Sequence, residues 1–216
     1  MKQQSRVLLI CNGEPPSRLL VRRLVRHIGT IVAADGGANA ARRLGLRPDI
    51  IVGDMDSITP ATRRAFASAE FVRVNRQDNT DLEKALDLLA ERRVKDVVLI
   101  GSAGRRVDFT LGNFSVLWRY ALCMKITVLG EHWRAMMAGK LMRIVSPPGT
   151  TLSLIPFGRV RGITLTGLQY PLVNGSLNTG HAAVSNVVVS SPCLVRVREG
   201  RLLIVVQDDV IPGEKQ

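Results

Sequence analysis

The sequence predicts an α/β protein in which an N-terminal doubly wound, mostly parallel sheet is followed by a C-terminal all-β sandwich domain. Three observations lead to this. Short β-branched runs alternate with amphipathic stretches over roughly the first 130 residues, the alternation then stops, and the remainder reads as strands alone. Strands are expected at residues 6–11, 30–34, 49–52, 71–74, 96–100 and 125–129, each short, apolar and bounded by turn residues. Between them lie helical patterns. Ser17 is a suitable N-cap, Leu20, Val21, Leu24, Val25 and Ile28 then share one face, and Gly29 supplies a stop. Thr59-Pro60 is a cap followed by proline at the first helical position, and Thr80-Asp81-Leu82-Glu83 has the form of a capping box.

Beyond about residue 134, strands are expected at 151–156, 161–168, 182–190, 193–198 and 201–207, the last two joined as a hairpin at Glu199-Gly200. Pro147-Pro148-Gly149 marks a loop near the join. The expected division is therefore an α/β domain over residues 1–133 and a β domain over 134–216.

Composition narrows the class of function. The chain has 216 residues and a formal charge of +12, and its longest apolar runs fall far short of the ~20 residues that span a bilayer. The N-terminal stretch has too short an apolar centre for a secretory signal, so a cytoplasmic protein without membrane attachment is expected. Cys11, Cys123 and Cys193 are odd in number and set in apolar runs, which reads as reduced, buried thiols. Of the 30 cations 24 are Arg, which invites a nucleotide or nucleic-acid partner, but only nine aromatic residues are available to stack bases. Charge alone does not choose between a phosphate-binding role and a solvated surface.

The acids carry more information than the cations. Asp35, Asp54, Asp56, Asp78, Asp81 and Asp108 each lie at or beyond the carboxyl end of a predicted strand, where ligand crevices of open α/β sheets form. Any one of them could be a turn former. Six on one rim repel one another unless a cation compensates, and an oxygen-rich, His-poor set suits Mg²⁺ with a bound polyphosphate rather than zinc. Glycines accompany them in Asp35-Gly36-Gly37, Gly53-Asp54-Met55-Asp56 and Gly101-Ser102-Ala103-Gly104, where backbone can approach a phosphate closely. Neither a Walker A sequence nor a GxGxxG fingerprint is present.

Taken in order, these segments resemble thiamine pyrophosphokinase. The matching stretches are Ala34-Asp35-Gly36-Gly37-Ala38-Asn39, residues 48–58 around Gly53-Asp54-Met55-Asp56-Ser57, residues 77–86 beginning Gln77-Asp78-Asn79-Thr80-Asp81, and residues 101–108 ending Arg106-Val107-Asp108. Ser153-Leu154-Ile155-Pro156, residues 167–172 and Val184-Ser185-Asn186 follow in the second half. The resemblance implies transfer of the pyrophosphoryl group of ATP to the hydroxyl of thiamine, giving thiamine diphosphate and AMP. It implies a homodimer with thiamine held between the α/β domain of one subunit and the β domain of the other. By the same resemblance Asp54, Asp56 and Asp81 hold Mg²⁺ and the ATP phosphates, with Asp35, Gly36, Gly37, Gln77, Asp78 and Thr80 close by. Arg106 and Asp108 line the transfer site, and Ser185 and Asn186 lie by thiamine.

Three positions depart from the family pattern: Arg105 stands where a second glycine is usual, Phe109 where a polar residue is usual, and Val187 where an acid is common. A solvated loop cation is expected for Arg105 and core packing at a helix start for Phe109. The departures leave open a relative acting on another hydroxylated acceptor. An Arg-rich nucleotide- or nucleic-acid-binding protein without catalysis is the non-enzyme alternative, and the acid-lined rim makes nucleic acid the less favoured partner.

Overall fold

The structure is a computed structural model that describes residues 6–76, 78–104, 106–181 and 183–213. The chain divides into two compact units, one running to Glu131 and regaining the chain from Ile211, the other His132–Val210. Among the described residues no helix is long and apolar enough to cross a membrane.

The first unit alternates strand and helix. Its strands are β1 (Val7–Ile10), β2 (Thr30–Ala34), β3 (Ile50–Gly53), β4 (Glu70–Arg73), β5 (Asp96–Ile100) and β6 (Lys125–Leu129). Its helices are α1 (Arg18–Val25), α2 (Gly37–Leu44), α3 (Pro60–Ala65), α4 (Asp81–Glu91) and α5 (Val107–Tyr120). The strand order is β4-β3-β2-β1-β5-β6 and every pairing in it is parallel, so the doubly wound sheet read from the sequence is present. The winding reverses at β1. Strands β2 to β4 extend on one side and β5 and β6 on the other, which places a topological switch point between β1 and β5.

Local chemistry starts the helices where the sequence indicates. The Ser17 hydroxyl accepts the Leu20 N–H at 3.3 Å, and Thr59 accepts that of Thr62 at 3.2 Å with Pro60 behind it. At α4 Thr80 and Glu83 form the full capping box. Leu20, Val21 and Leu24 of α1 then bury against Leu8, Ile10, Ala33, Ile51 and Val98 from the strands. Ile211, returning from the other unit, joins the same core.

The second unit is antiparallel β throughout, and two details differ from the sequence reading. The segments expected as separate strands at 151–156 and 161–168 are one strand, β9 (Thr151–Thr166). Gly158 and Gly162 take positive φ within it, and its buried positions switch from Leu152, Leu154 and Val160 to Ile163 and Leu165. A bulge shifts the inward face without ending the strand. Residues 193–207 do not form a hairpin. β12 (Cys193–Arg196) pairs with Thr164–Thr166 and with β8 (Leu141–Ile144), whereas β13 (Glu199–Gln207) pairs with residues 151–161 and with β7 (Arg134–Met137). The long strand thus takes β12 and β13 one after the other along its length, so they do not pair with each other. On its other edge lie β10 (Leu172–Leu177) and β11 (Ala183–Val187). Short β7, β8 and β10 had no clear signal, since only four to six residues each are involved and none alternates over its full length.

Of the three thiols, Cys11 and Cys193 are buried as expected, but Cys123 is exposed. It lies in the turn after α5, where its S–H donates to the Tyr120 carbonyl at 3.2 Å. The apolar run that suggested burial is cut short by that turn.

Candidate active site

At the carboxyl ends of β2 and β3 the chain turns sharply. Asp35, immediately after β2, takes φ 39° and is fully buried, while Gly53 closes β3 at φ 154°. A Cβ on Gly53 would lie 2.7 Å from the Asp35 Cβ, so glycine is what lets the two strand ends come together. Asp54 follows Gly53, and Met55 at φ 73° sends the chain on toward α3. Asn39 on α2 fixes this loop: its amide donates to the Ser57 carbonyl at 2.7 Å and its oxygen accepts the Thr59 N–H at 3.2 Å.

These turns bring carboxylates from three separate segments together. One oxygen each from Asp35, Asp54 and Asp81, the first residue of α4, lie within 4.8 Å of one another. Lys84, one turn along α4, reaches into the group. Its ammonium donates to Asp54 Oδ2 at 2.8 Å and to Asp81 Oδ1 at 3.1 Å, with only 3% of its side chain exposed. Asp35 Oδ2 accepts the Ser57 N–H at 3.3 Å, and Asp35 Oδ1 is buried with no hydrogen-bond partner.

The cluster's electrostatics follow from this geometry. Burial pushes the Asp35 carboxyl above the ordinary carboxylate range, opposed by its Ser57 hydrogen bond and reinforced by the negative charges of Asp81, Asp54 and Asp56. Asp54 is held below that range, first by its hydrogen bond from Lys84. An orphaned, buried carboxylate oxygen beside two further carboxylates makes an oxygen donor set that fits a hard divalent ion such as Mg²⁺.

The remaining candidates sit on the same edge without entering this cluster. Asp56 is exposed and accepts the Ser57 hydroxyl at 2.9 Å. Asp78 is held bidentate by Arg76 at 2.9 and 2.8 Å, and Asp108 is paired in the same way with Arg106, both pairs being exposed. Gly36 precedes α2 and Gly37 opens it, both buried, and this helix start has no side-chain cap. Thr80 is occupied by its capping box. Gln77 and Arg105 lie outside the described residues.

A second feature lies at the switch point. The loops after β1 and β5 continue to pair, Gly13 N–H donating to the Gly101 carbonyl at 2.7 Å and Glu14 N–H to that of Ala103 at 2.8 Å. Beside them is a cleft of about 750 Å³ lined by Asn12, Gly13, Glu14, Pro15, Arg43, Ala103, Gly104, Arg106 and Phe109. Phe109 therefore faces the cleft, half-buried, in place of the core position expected for it. The glycine-rich loop is held from below: the buried Asn113 amide donates to the Ser102 carbonyl at 2.7 Å.

In the β unit, Ser185 is exposed at φ 62° and its N–H donates to the Ser153 hydroxyl at 3.1 Å. Asn186 is buried. Its oxygen accepts the Tyr170 N–H at 3.0 Å and its amide donates to the Tyr170 carbonyl at 2.8 Å, which pins the segment after residue 168.

Sequence reasoning passed over Lys84, Asn12 and Glu14. Lys84 stands three residues after Asp81 in a helix whose apolar stripe is Leu82, Ala85, Leu86 and Leu89; a lysine there reads as solvated. The signal that could have found it was its position, one turn inside a helix that begins at the acid rim.

An open parallel sheet with carboxylates gathered at its strand ends and a cleft at its switch point defines a ligand-binding protein of the doubly wound α/β class, here with an antiparallel β unit appended. Comparison with known proteins is more specific. The family model for the thiamin pyrophosphokinase catalytic domain matches residues 21–128, and that for the thiamin pyrophosphokinase vitamin B1 binding domain matches residues 142–202. The chain belongs to the thiamin pyrophosphokinase family. It is 29% identical to thiamine pyrophosphokinase of Bacillus subtilis over 82% of this chain and 87% of that one. It is 30% identical to thiamine pyrophosphokinase 1 of Oryza sativa subsp. japonica, over 73% and 71% respectively. The crystal structure of the Bacillus subtilis protein superposes with a TM-score of 0.83 at 26% identity, covering 95% of this chain and all of the other. That of thiamin pyrophosphokinase from Candida albicans also gives 0.83, at 17% identity and over 95% and 89% of the two chains; at that identity it bears on the fold alone.

Proposed function

We infer that this chain transfers the pyrophosphoryl group of ATP to the hydroxyl of thiamine, forming thiamine diphosphate and AMP. The observation that carries this reading is that the catalytic and vitamin B1 binding models fall, in order, on the α/β and β units, with the carboxylate cluster inside the first.

Attack by a hydroxyl on the β-phosphorus must overcome the negative charge of the polyphosphate. Asp35, Asp54 and Asp81 would hold Mg²⁺, with Asp56 adjacent; a bound Mg²⁺ neutralises phosphate oxygens and orients the chain of phosphates. The protein's own groups do the rest. Arg106 and Arg43, both on the cleft, supply cations toward the phosphates, and the uncapped start of α2 at Gly36 and Gly37 adds a partial positive charge. Asp78 and Thr80 shape the approach to Asp81, and Gln77 is assigned to the nucleotide by family resemblance alone. The hydroxyl proton passes to a carboxylate of this rim, for which Asp81 and Asp108 are the candidates. Ser185 is assigned to thiamine contact, and Asn186 would act through the segment it pins. The enzyme is assigned to the cytoplasm as a homodimer, and light scattering should give twice 23.6 kDa.

Phosphorus NMR of the protein incubated with ATP, Mg²⁺ and thiamine tests the reaction. AMP and thiamine diphosphate are the expected products. ADP with thiamine monophosphate would show an ordinary kinase, and turnover of a different hydroxylated acceptor would move the specificity.

A further inference from the structure

The carboxylate cluster already contains a cation of its own. Lys84 takes one oxygen from Asp54 and one from Asp81, and its ammonium lies inside the protein with its stem among the residues of α4 that bury against the sheet. With all three carboxylates ionised, the one ammonium leaves two negative charges, which is the charge that a single divalent ion balances. Without the lysine the same space would carry three. Asp35 is the member that Lys84 does not reach among its hydrogen bonds, and its buried Oδ1 is the oxygen left unpartnered.

We propose that Lys84, through the positive charge it shares between Asp54 and Asp81, keeps the site's affinity for free divalent ions low. This rests on the functional reading given above. A fixed ammonium sharing the carboxylates of a divalent ion repels that ion at short range. A divalent ion would then bind best together with a polyphosphate, whose own charges compensate for the lysine. Lysine suits the task because its charge is compact and its three donors can serve two carboxylates. A purely structural lysine would behave in the opposite way. Its loss would loosen the cluster and weaken metal binding.

The test is Mn²⁺ binding in the absence of nucleotide, followed by the electron paramagnetic resonance signal of the free aqueous ion. Lys84→Met should bind Mn²⁺ at least about tenfold more tightly than the unaltered protein, and Lys84→Arg, which keeps the charge, should remain close to it. Lys84→Gln keeps a donor for Asp54 without the charge. It should tighten binding as Lys84→Met does, and it preserves the test if the methionine variant does not fold by circular dichroism. Equal or weaker binding by the folded neutral variants overturns the role of Lys84 while leaving the metal reading intact. Absence of Mn²⁺ binding in every form at millimolar concentration overturns the metal reading itself, and this proposal with it.

Discussion

Two kinds of acid–base pairing stand on the same edge of the sheet. Asp78 and Asp108 are each clasped by an arginine two residues earlier in the chain, and in both pairs more than 60% of either side chain is exposed. Asp54 and Asp81 are bridged by Lys84 from the inside, and Asp54 and Lys84 lie 30 residues apart in sequence. Residue types are similar, yet the consequences differ. A local, exposed pair is screened by water and salt and can be exchanged for a ligand at little cost. The inner bridge is fixed by the packing of α4: the Lys84 side chain is buried while Asp54 and Asp81 stay partly open to solvent, and breaking the bridge leaves a charge without its partner. The first arrangement suits arginines that turn toward an incoming phosphate; the second suits a cation site that must be formed beforehand.

If that contrast is right, substitutions should divide accordingly. Asp54→Asn should have the largest effect, lowering turnover by at least about 10²-fold, the scale on which a single charge-stabilising group acts. Circular dichroism should show the fold retained. Turnover within a few-fold of the unaltered protein would remove Asp54 from the metal site.

Asp35→Asn should separate function from stability. Burial raises this carboxyl's pKa, so the folded state keeps the proton to higher pH than the unfolded state does. Its contribution to stability is therefore present at low pH and lost as pH rises through the raised value. The lowered Asp54 works oppositely: its stabilisation is present above the ordinary carboxylate range and is lost as pH falls through its depressed pKa. Near neutral pH Asp35→Asn should raise the thermal midpoint and lower turnover by about tenfold or more. The gain in midpoint should shrink as pH falls into the carboxylate range. A lower midpoint at neutral pH would contradict the assigned electrostatics.

Much of this contrast was legible in the sequence, though not the part that decides it. Parallel strands and capped helices could be read because Ser17, Thr59 and Thr80 cap through contacts three residues ahead, and the six aspartates could be placed on one edge by counting from the strand ends. Which three converge depends on the lateral order of β2 and β3 and on the direction of α4. Those are long-range facts that residue spacing does not carry. Lys84 was hidden for the same reason. In the β unit the strand core was legible, but β9 was not read as continuous, because Gly158 and Gly162 mark a bulge and a strand end with the same signal. Phe109 shows the converse: its chemistry suggested core, and only the position of α5 at the cleft shows where it faces.

The exposed pairs should respond less. Arg106→Ala should raise KM for ATP by about tenfold with a smaller change in kcat, because the arginine lines the cleft and releases an exposed carboxylate when it turns. A loss confined to kcat would make Arg106 a group that acts in the transition state alone.

Arg76→Ala should change least, and it tests the contrast from its weak side. Arg76 holds Asp78 two residues away, and its loss exposes Asp78 to water that already reaches most of it. Relief of the pairing returns the Asp78 carboxyl, now held low by that hydrogen bond, toward the ordinary range. At neutral pH it remains ionised in either case, so the thermal midpoint should not move measurably at 0.15 M salt. The variant and the unaltered protein should differ only at low ionic strength, and only as pH falls into the carboxylate range. A large loss of turnover from Arg76→Ala would show that this pair is not local. Asp78 would then belong with Asp54 and Asp81 among the groups whose placement has to be fixed before the substrate arrives.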